Sequence, residues 1–273
     1  MADSLLKLDG VSFAYRGGDA LQDISFEIQT GEFVALLGEN GAGKSTLARI
    51  CNGLLKPTGG VVTVGGKDTR RVKTSEIARD VGFLFQNPDR MLCQNTVRGE
   101  LMFGLEFSSV PPEQHAARCD EMLSVFSLDG ERDPFGMSRS ERQQVALASV
   151  LARRPKLLIL DEPTTGLDYR ECMTIMDIVS RQNAEGAALL MITHDMEIVA
   201  DFARRVLVLS RGKLIGDGDM RGVMRDRALL SSASLLPAQI PDLAMRLGGA
   251  FGEAFTITDM VKTVATLKEE VRV

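Results

Sequence analysis

A chain of 273 residues, 44% hydrophobic and 25% charged, has ordinary globular composition and is long enough for one large domain or a domain with a smaller appendage. Its net charge of -5 offers no overall basic field of the kind that non-specific nucleic-acid binding needs, so nucleic acid is not expected as a partner. Four scattered cysteines (Cys51, Cys93, Cys119, Cys172) without a C-x-x-C pair read as thiols, not as a disulfide or zinc framework. Met1-Ala2-Asp3-Ser4 has no basic-then-apolar signal pattern, and no apolar run approaches the roughly 20 residues of a membrane-spanning helix, so membrane contact is expected only through a partner.

Segments 5–8, 11–13 and 25–28 cluster or alternate apolar residues between the turn signals Asp9-Gly10, Arg16-Gly17-Gly18-Asp19 and Thr30-Gly31. They read as short antiparallel strands. Val11, Phe13 and Tyr15 share a face by their spacing of two. Tyr15, at the strand end, is either the edge of a core or a platform for a purine base.

The apolar run 33–37 leads into Gly38-Glu39-Asn40-Gly41-Ala42-Gly43-Lys44-Ser45-Thr46 and then a helix-like stretch, 47–52. This is G-x-x-x-x-G-K-[ST] in the strand, loop and helix context the motif requires. The glycines let the backbone curl until several N–H groups face a phosphate chain. Lys44 adds a point charge toward the outer phosphates, the Ser45 hydroxyl is placed to hold a magnesium ion, and a helix N-terminus itself favours anions. A nucleoside triphosphate with magnesium is the expected ligand.

Further on, 61–64 is a strand, Gly65-Gly66 a hairpin turn, 75–79 a short helix and 81–85 a buried strand. That strand delivers Gln86 to its carboxyl end, where ligands of open α/β sheets bind, so its amide can reach a phosphate or metal. From 95 to 127 the pattern turns helical, with an imperfect stripe at 97, 101, 103, 105 and 107 and a second helix, 113–126, entered through Pro111-Pro112. Ser138 and Glu141 form a capping box ahead of Val145, Leu147, Ala148 and Leu151. The strand 157–160 ends in Asp161-Glu162-Pro163, where Asp161 would hold the magnesium ion and Glu162 would polarise an attacking water. After a loop at 164–168 and a helix at 169–183, the strand 187–193 ends in His194. That residue shares the strand-end layer with Gln86 and Asp161, which points it at the γ-phosphate. Strands 206–209 and 214–215 close the sheet. The expected division is an ATPase domain, 1–225, with a helical insert at about 95–155, and an extension, 226–273, for dimerisation or docking with helices at 243–247 and 258–268.

In this order the phosphate loop, Gln86, the Ser138 segment, Asp161-Glu162, Asp168 and His194 resemble the nucleotide-binding subunit of ABC transporters, over roughly residues 4–220. The resemblance implies a P-loop NTPase core with a mixed central sheet, an N-terminal antiparallel β subdomain, an inserted helical subdomain and a small C-terminal extension. It implies that Tyr15 stacks on adenine, that residues 38–46 are the Walker A motif, and that Gln86 is the Q-loop. Residues 157–162 would be Walker B with its catalytic glutamate, Asp168 the D-loop and His194 the switch histidine. The implied activity is ATP hydrolysis with Mg²⁺. The implied partners are a second ATPase subunit and integral membrane subunits at the cytoplasmic face of a membrane. Phe85-Gln86-Asn87-Pro88-Asp89, Thr96-Val97, Phe103-Gly104 and the tail segments 243–248 and 258–261 resemble the ATPases of energy-coupling factor importers, which take up vitamins and transition-metal ions. Alternatives from other classes are a soluble ABC-type switch with no membrane partner, or a regulatory nucleotide-binding module that hardly hydrolyses.

The sequence departs from the family at one place. The signature motif, Leu-Ser-Gly-Gly and then Gln or Glu, reads Met137-Ser138-Arg139-Ser140-Glu141. In the family's closed dimer this segment caps the ATP held by the other subunit. Were either substituted position to need a positive φ, a non-glycine residue there would cost roughly 1–2 kcal/mol. The expectation is a weakened site in the partner, best tolerated in a heterodimer whose second ATPase supplies an intact signature to Lys44 and Glu162.

Overall fold

A computed structural model describes residues 4–270; the leader-free reading of Met1–Asp3 therefore lies outside the described residues. Ten strands form two sheets. The smaller comprises β1 (Leu6–Tyr15), β2 (Gly18–Ile28), β4 (Gly59–Val64) and β5 (Lys67–Asp68), antiparallel in the order β2-β1-β4-β5. The expected separate strands at 5–8 and 11–13 are one strand, because Gly10 adopts φ 59° and the register shifts between Leu8 and Val11 instead of the pairing ending there.

The larger sheet has β3 (Phe33–Leu37), β6 (Val81–Leu84), β7 (Leu157–Asp161), β8 (Ala188–Ile192), β9 (Arg205–Ser210) and β10 (Lys213–Asp219), in the order β10-β9-β3-β8-β7-β6. All neighbours are parallel except β10 against β9, so the sheet is mixed. Both of its faces are covered, which is why its strands read as unbroken apolar runs. Phe33, Ala35 and Leu37 face a helical layer, while Val34 and Leu36 face the small sheet and α1 (Lys44–Cys51).

After α2 (Thr74–Asp80) comes the helical insert: α3 (Val97–Glu106), α4 (His115–Val125) and α5 (Arg139–Ala152). The stripe expected on α3 divides. Val97, Leu101 and Leu105, four residues apart, are buried, whereas Phe103 and Phe107 lie exposed and pack edge-to-face on each other, 5.3 Å between centroids. Next are α6 (Tyr169–Ala184) and α7 (Met196–Phe202), and then two short helices the sequence pattern did not indicate, α8 (Met220–Arg225) and α9 (Arg227–Ser232). The chain finishes with α10 (Gln239–Leu247) and α11 (Ile257–Glu270). Buried Phe255, between those last helices, is held by the guanidinium groups of Arg221 and Arg225, each 4.9 Å from its ring, which fastens the extension to α8. Cys51, Cys119 and Cys172 are buried free thiols and Cys93 is an exposed one. Among the described residues no helix is long and apolar enough to cross a membrane.

Candidate functional site

The parallel order β3-β8-β7-β6 sets side by side the carboxyl ends that carry the phosphate loop, His194, Asp161-Glu162 and Gln86. They open into a cavity of about 700 Å³ lined by Tyr15, Asn40, Gly41, Gly43, Lys44, Ser45, Thr46, Gln86, Asp161 and Glu162. Gly38 and Ala42 do not line it; they shape its wall. A Cβ on Gly38 would stand 2.2 Å from the Leu209 carbonyl oxygen, and one on Gly43 2.8 Å from that of Ala20. Buried Ala42 accepts a hydrogen bond from the Gly212 N–H at 2.9 Å, fixing the loop to the turn after β9.

α1 starts at Gly43, in a left-handed conformation (φ 106°), with no side-chain cap and no acidic residue in its first turn. Its first N–H groups are thus free to face an anion. The Lys44 ammonium folds back over the loop and donates to the carbonyl oxygens of Gly38 at 2.6 Å and Glu39 at 3.0 Å. Burial pulls its pKa down from the ordinary lysine value, against the pull of Glu162, Asp161 and Glu39.

Asp161 ends β7 and is buried, and burial raises its carboxyl pKa against a hydrogen bond from the Ser45 hydroxyl. A buried carboxylate with a hydroxyl on it and an amide, Gln86, in the same cavity is a set of hard oxygen donors. These residues fit a magnesium ion, which takes one or two protein carboxylates and fills its remaining positions with phosphate and water. Among the described residues no group of three or more His, Cys, Asp or Glu is positioned to hold a metal by itself.

Glu162 is also buried, and its backbone is left-handed, φ 55°. Such a conformation costs a non-glycine residue of order 1–3 kcal/mol and persists where the surroundings impose it. Here the Glu162 N–H donates to the Ile192 carbonyl oxygen on β8 at 2.9 Å, and Pro163 follows. The result is a carboxylate turned toward the strand end. His194 Nδ1 donates to Glu162 Oε2 at 2.9 Å from a side chain that is 71% exposed, and Thr165 Oγ1 donates to the same oxygen at 3.2 Å. That bond fixes the imidazole tautomer and ties β7 to β8 at the site.

Tyr15 is 47% exposed, its ring edge-to-face with Phe13 (4.8 Å) and its hydroxyl 3.3 Å from Thr46 Oγ1. It lines the cavity together with residues that sequence reasoning passed over: Asp19, Ala20 and Arg211. Arg211 arrives because β9 pairs with β3, so the turn after β9 lies beside the phosphate loop; a sheet order was needed to find it.

The structure does not bring Ser138, Arg139, Ser140, Glu141 or Asp168 into this cavity, and His194 does not line it but reaches it only through its bond to Glu162. Ser138 is the N-cap of α5 as expected, its Oγ accepting from Glu141 N at 3.3 Å and Glu141 Oε2 accepting from Ser138 N at 2.8 Å. Glu141 also accepts from Arg132 Nη1 at 2.6 Å; the Ser138 N–H, and after it Arg132, holds this carboxyl far below the usual range, at about 2. Arg139 and Ser140 occupy the first turn of α5 and neither has a positive φ. The backbone strain feared at these positions is therefore not there, because a helix N-terminus asks only for right-handed angles. Asp168 caps α6 with its own box: its Oδ1 accepts from Glu171 N at 2.9 Å, and Glu171 Oε2 accepts from Asp168 N at 3.0 Å.

Comparison with known proteins agrees with this geometry. The ABC transporter family model matches residues 21–165. A putative ABC transporter ATP-binding protein of Caldanaerobacter subterraneus subsp. tengcongensis is 45% identical over 252 residues, covering 91% of this chain and 44% of the relative. The chain thus spans less than half the length of that relative. The energy-coupling factor transporter ATP-binding protein EcfA of Methanothermobacter thermautotrophicus is 38% identical over 248 residues, covering 89% of this chain and 80% of EcfA. Among solved structures, CbiO1 from Clostridium perfringens, part of the ABC transporter complex CbiONQ, aligns with TM-score 0.74 at 31% identity over 90% of this chain and 99% of that one. An ATP-binding cassette solved as a dimer in a post-hydrolysis state with ADP and Pi aligns with TM-score 0.73 at 28% identity over 80% of this chain and 99% of that one. With the family model matching just over half of its length, the chain belongs to the ABC transporter family as an ATP-binding cassette.

Proposed function

We propose that this cassette hydrolyses ATP to ADP and phosphate when a second, non-identical cassette closes over its phosphate loop, and that the cycle powers an energy-coupling-factor-type importer. The observation that carries the reading is Glu162, buried at the cavity it lines with Lys44, Ser45 and Asp161, with His194 on the adjacent strand end bonded to it at 2.9 Å. In this mechanism the Lys44 ammonium and the N–H groups of residues 41–46 neutralise charge building on the phosphates. Ser45, Asp161 and Gln86 would hold a magnesium ion, whose chemistry is to draw charge off the bridging and terminal phosphate oxygens. Glu162 orients and polarises the attacking water, and His194, held by Glu162 through Nδ1, presents Nε2 toward the γ-phosphate. Tyr15 stacks on the base. Positioning and electrostatics supply most of the rate. The paired Glu162 and His194 argue against a module that only senses nucleotide.

Three observations support the partners. The relative from Caldanaerobacter subterraneus subsp. tengcongensis is more than twice the length of the stretch it shares with this chain, which leaves room there for a second cassette. Beside Gln86, a cavity of about 300 Å³ lined by Phe83, Phe85, Met91 and Phe103 separates the core from the helical insert, an apolar seat for a membrane subunit that would place the cassette at the membrane surface. Leu243, Leu247, Ile257 and Val261, exposed on α10 and α11, support the extension as a contact between subunits.

The test is Glu162→Gln in the full protein together with its partners. Steady-state phosphate release is expected to fall about 10²–10⁴-fold, the range for losing a general base, with ATP still bound and the closed two-cassette state trapped. Full activity in this variant, or purification from membranes without any integral partner, overturns the corresponding half of the reading.

A further inference from the structure

The two signature positions that carry side chains instead of glycines both turn toward one segment of the same chain. The Ser140 hydroxyl donates to Glu171 Oε1. Glu171 is the residue whose other oxygen accepts from Asp168 N, at 3.0 Å, and whose own N–H donates to Asp168 Oδ1, at 2.9 Å. A single carboxylate thus holds the first turn of α5 with one oxygen and the Asp168 backbone with the other. Arg139 lies on the same side: its Nε is 3.9 Å from where a Cβ on Gly166 would be. One turn further along, buried Gln143 donates to the Pro163 carbonyl oxygen at 3.4 Å. Positions 139, 140 and 143 are neighbours on one helix face, and Pro163, Gly166 and Glu171 lie along the segment that leaves Glu162.

We propose that Ser140 and Glu171 are a positioning pair that locks the N-terminus of α5, which this cassette offers to its partner, to its own Asp168 loop, so that the two parts move as one body. The proposal rests on the two-cassette reading above. A glycine at 140 has no hydroxyl and leaves these parts to move separately. Serine there adds a hydrogen bond to a carboxylate, a class of bond stronger than one between neutral groups. The segment from Glu162 to Glu171 is itself continuous, since Thr165 bonds Glu162 and Asp168 bonds Glu171. Movement of the α5 end is therefore passed to the carboxylate that works on this chain's own nucleotide. In this light Arg139-Ser140 exchanges the freedom of a glycine pair for a fixed geometry that needs no new adjustment at closure.

The experiment has two arms. In a Glu162→Gln background, which holds ATP without turnover, ATP-driven association with the partner cassette is titrated for wild-type Ser140, Ser140→Ala, Ser140→Thr, Glu171→Gln and Ser140→Ala with Glu171→Gln. Ser140→Ala is expected to raise the ATP needed for half-association roughly five-fold, Ser140→Thr to restore it to within about two-fold, and the double variant to be no worse than Glu171→Gln alone, the non-additivity of a coupled pair. In the second arm, hydrogen exchange at the amides of 166–171 is followed in this chain without a partner, where Ser140→Ala is expected to speed exchange several-fold there while exchange in the central sheet is unchanged. Unchanged exchange in Ser140→Ala overturns the lock. Faster exchange with unchanged association, or additive effects in the double variant, overturns its role in closure. Failure of the Glu162→Gln parent itself to associate with any cassette under ATP overturns the two-cassette reading and the positioning role with it, while the exchange arm still reports separately on the Ser140–Glu171 bond.

Discussion

The two helix N-termini that matter most here, at α1 and α5, are finished in opposite ways. α1 starts on Gly43 with no side-chain cap and no acid in its first turn, whereas α5 starts on Ser138 inside a complete capping box with Glu141. A bare end leaves its dipole and amides to whatever anion arrives; a boxed end has two of its orphan donors satisfied within the chain, leaving those of Arg139 and Ser140. The first arrangement suits a site that holds its nucleotide alone. The second suits a surface that must stand exposed between closures and then add only part of its donors to a nucleotide held elsewhere. Binding and capping are thus built from the same element by adding or omitting one box.

The sharpest way to break this contrast is at the bare end. Lys44→Ala removes the one cation of the loop, and the affinity of the isolated cassette for a fluorescent ATP analogue is expected to fall about 100-fold, two charge-assisted bonds at roughly 1.5 kcal/mol each. An affinity within three-fold of wild type would show that the backbone amides carry the phosphates by themselves. Asp161→Asn comes next and moves two observables in opposite directions. It is expected to end magnesium-dependent turnover while raising the melting temperature of the nucleotide-free protein by about 2–4 °C, the size of a 1 kcal/mol gain in a chain this long. The sign follows from the raised folded-state pKa of Asp161: its native environment disfavours the charged form, so the apo fold gains as pH falls through that pKa and gains permanently from a neutral amide. A lower melting temperature would show that the Ser45 bond outweighs the burial.

The smallest effect belongs to the boxed end. Ser138→Ala should cost about 1 kcal/mol as a lost cap, read as a drop of a few degrees in melting temperature, with ATP affinity of the isolated cassette unchanged. Weakened affinity there would mean that the α5 end touches this chain's own nucleotide. Because the Glu141 carboxyl is held at about 2, the box is intact above the ordinary carboxylate range and is lost only as pH falls toward that value, so the Ser138→Ala difference is expected to be constant from pH 5 to 8.

Most of the residues that line the candidate site were legible in the sequence because they sit at the ends of short apolar runs, where strand, turn and side-chain type can be read together. Asp161 is the last residue of its buried strand, and Gln86 and His194 each follow theirs by two residues. What escaped depends on pairing across the chain. Arg211 reaches the cavity only because β9 lies beside β3, and Ser140 meets Glu171 across 31 residues of sequence. The imperfection of the stripe on α3 has a local cause: apolar residues on both faces blur a helical period, so exposed Phe103 and Phe107 fall in with buried Val97, Leu101 and Leu105. The merging of 5–8 with 11–13 shows a glycine that bends a strand without ending it. The departure at Arg139-Ser140 was read through glycine's backbone freedom, whereas neither residue has a positive φ and Ser140 makes a side-chain contact with Glu171.

The left-handed backbone of Glu162 bears on how this cassette would evolve or be engineered. Glycine, which takes that conformation without penalty, would relieve the strain, so substitutions that silence hydrolysis at this position need not weaken the fold. A screen for stability alone would then weigh the strain relieved by glycine at residue 162 against the lost bonds from His194 and Thr165, and a duplicated cassette released from catalysis would keep its glutamate only as far as those bonds hold it.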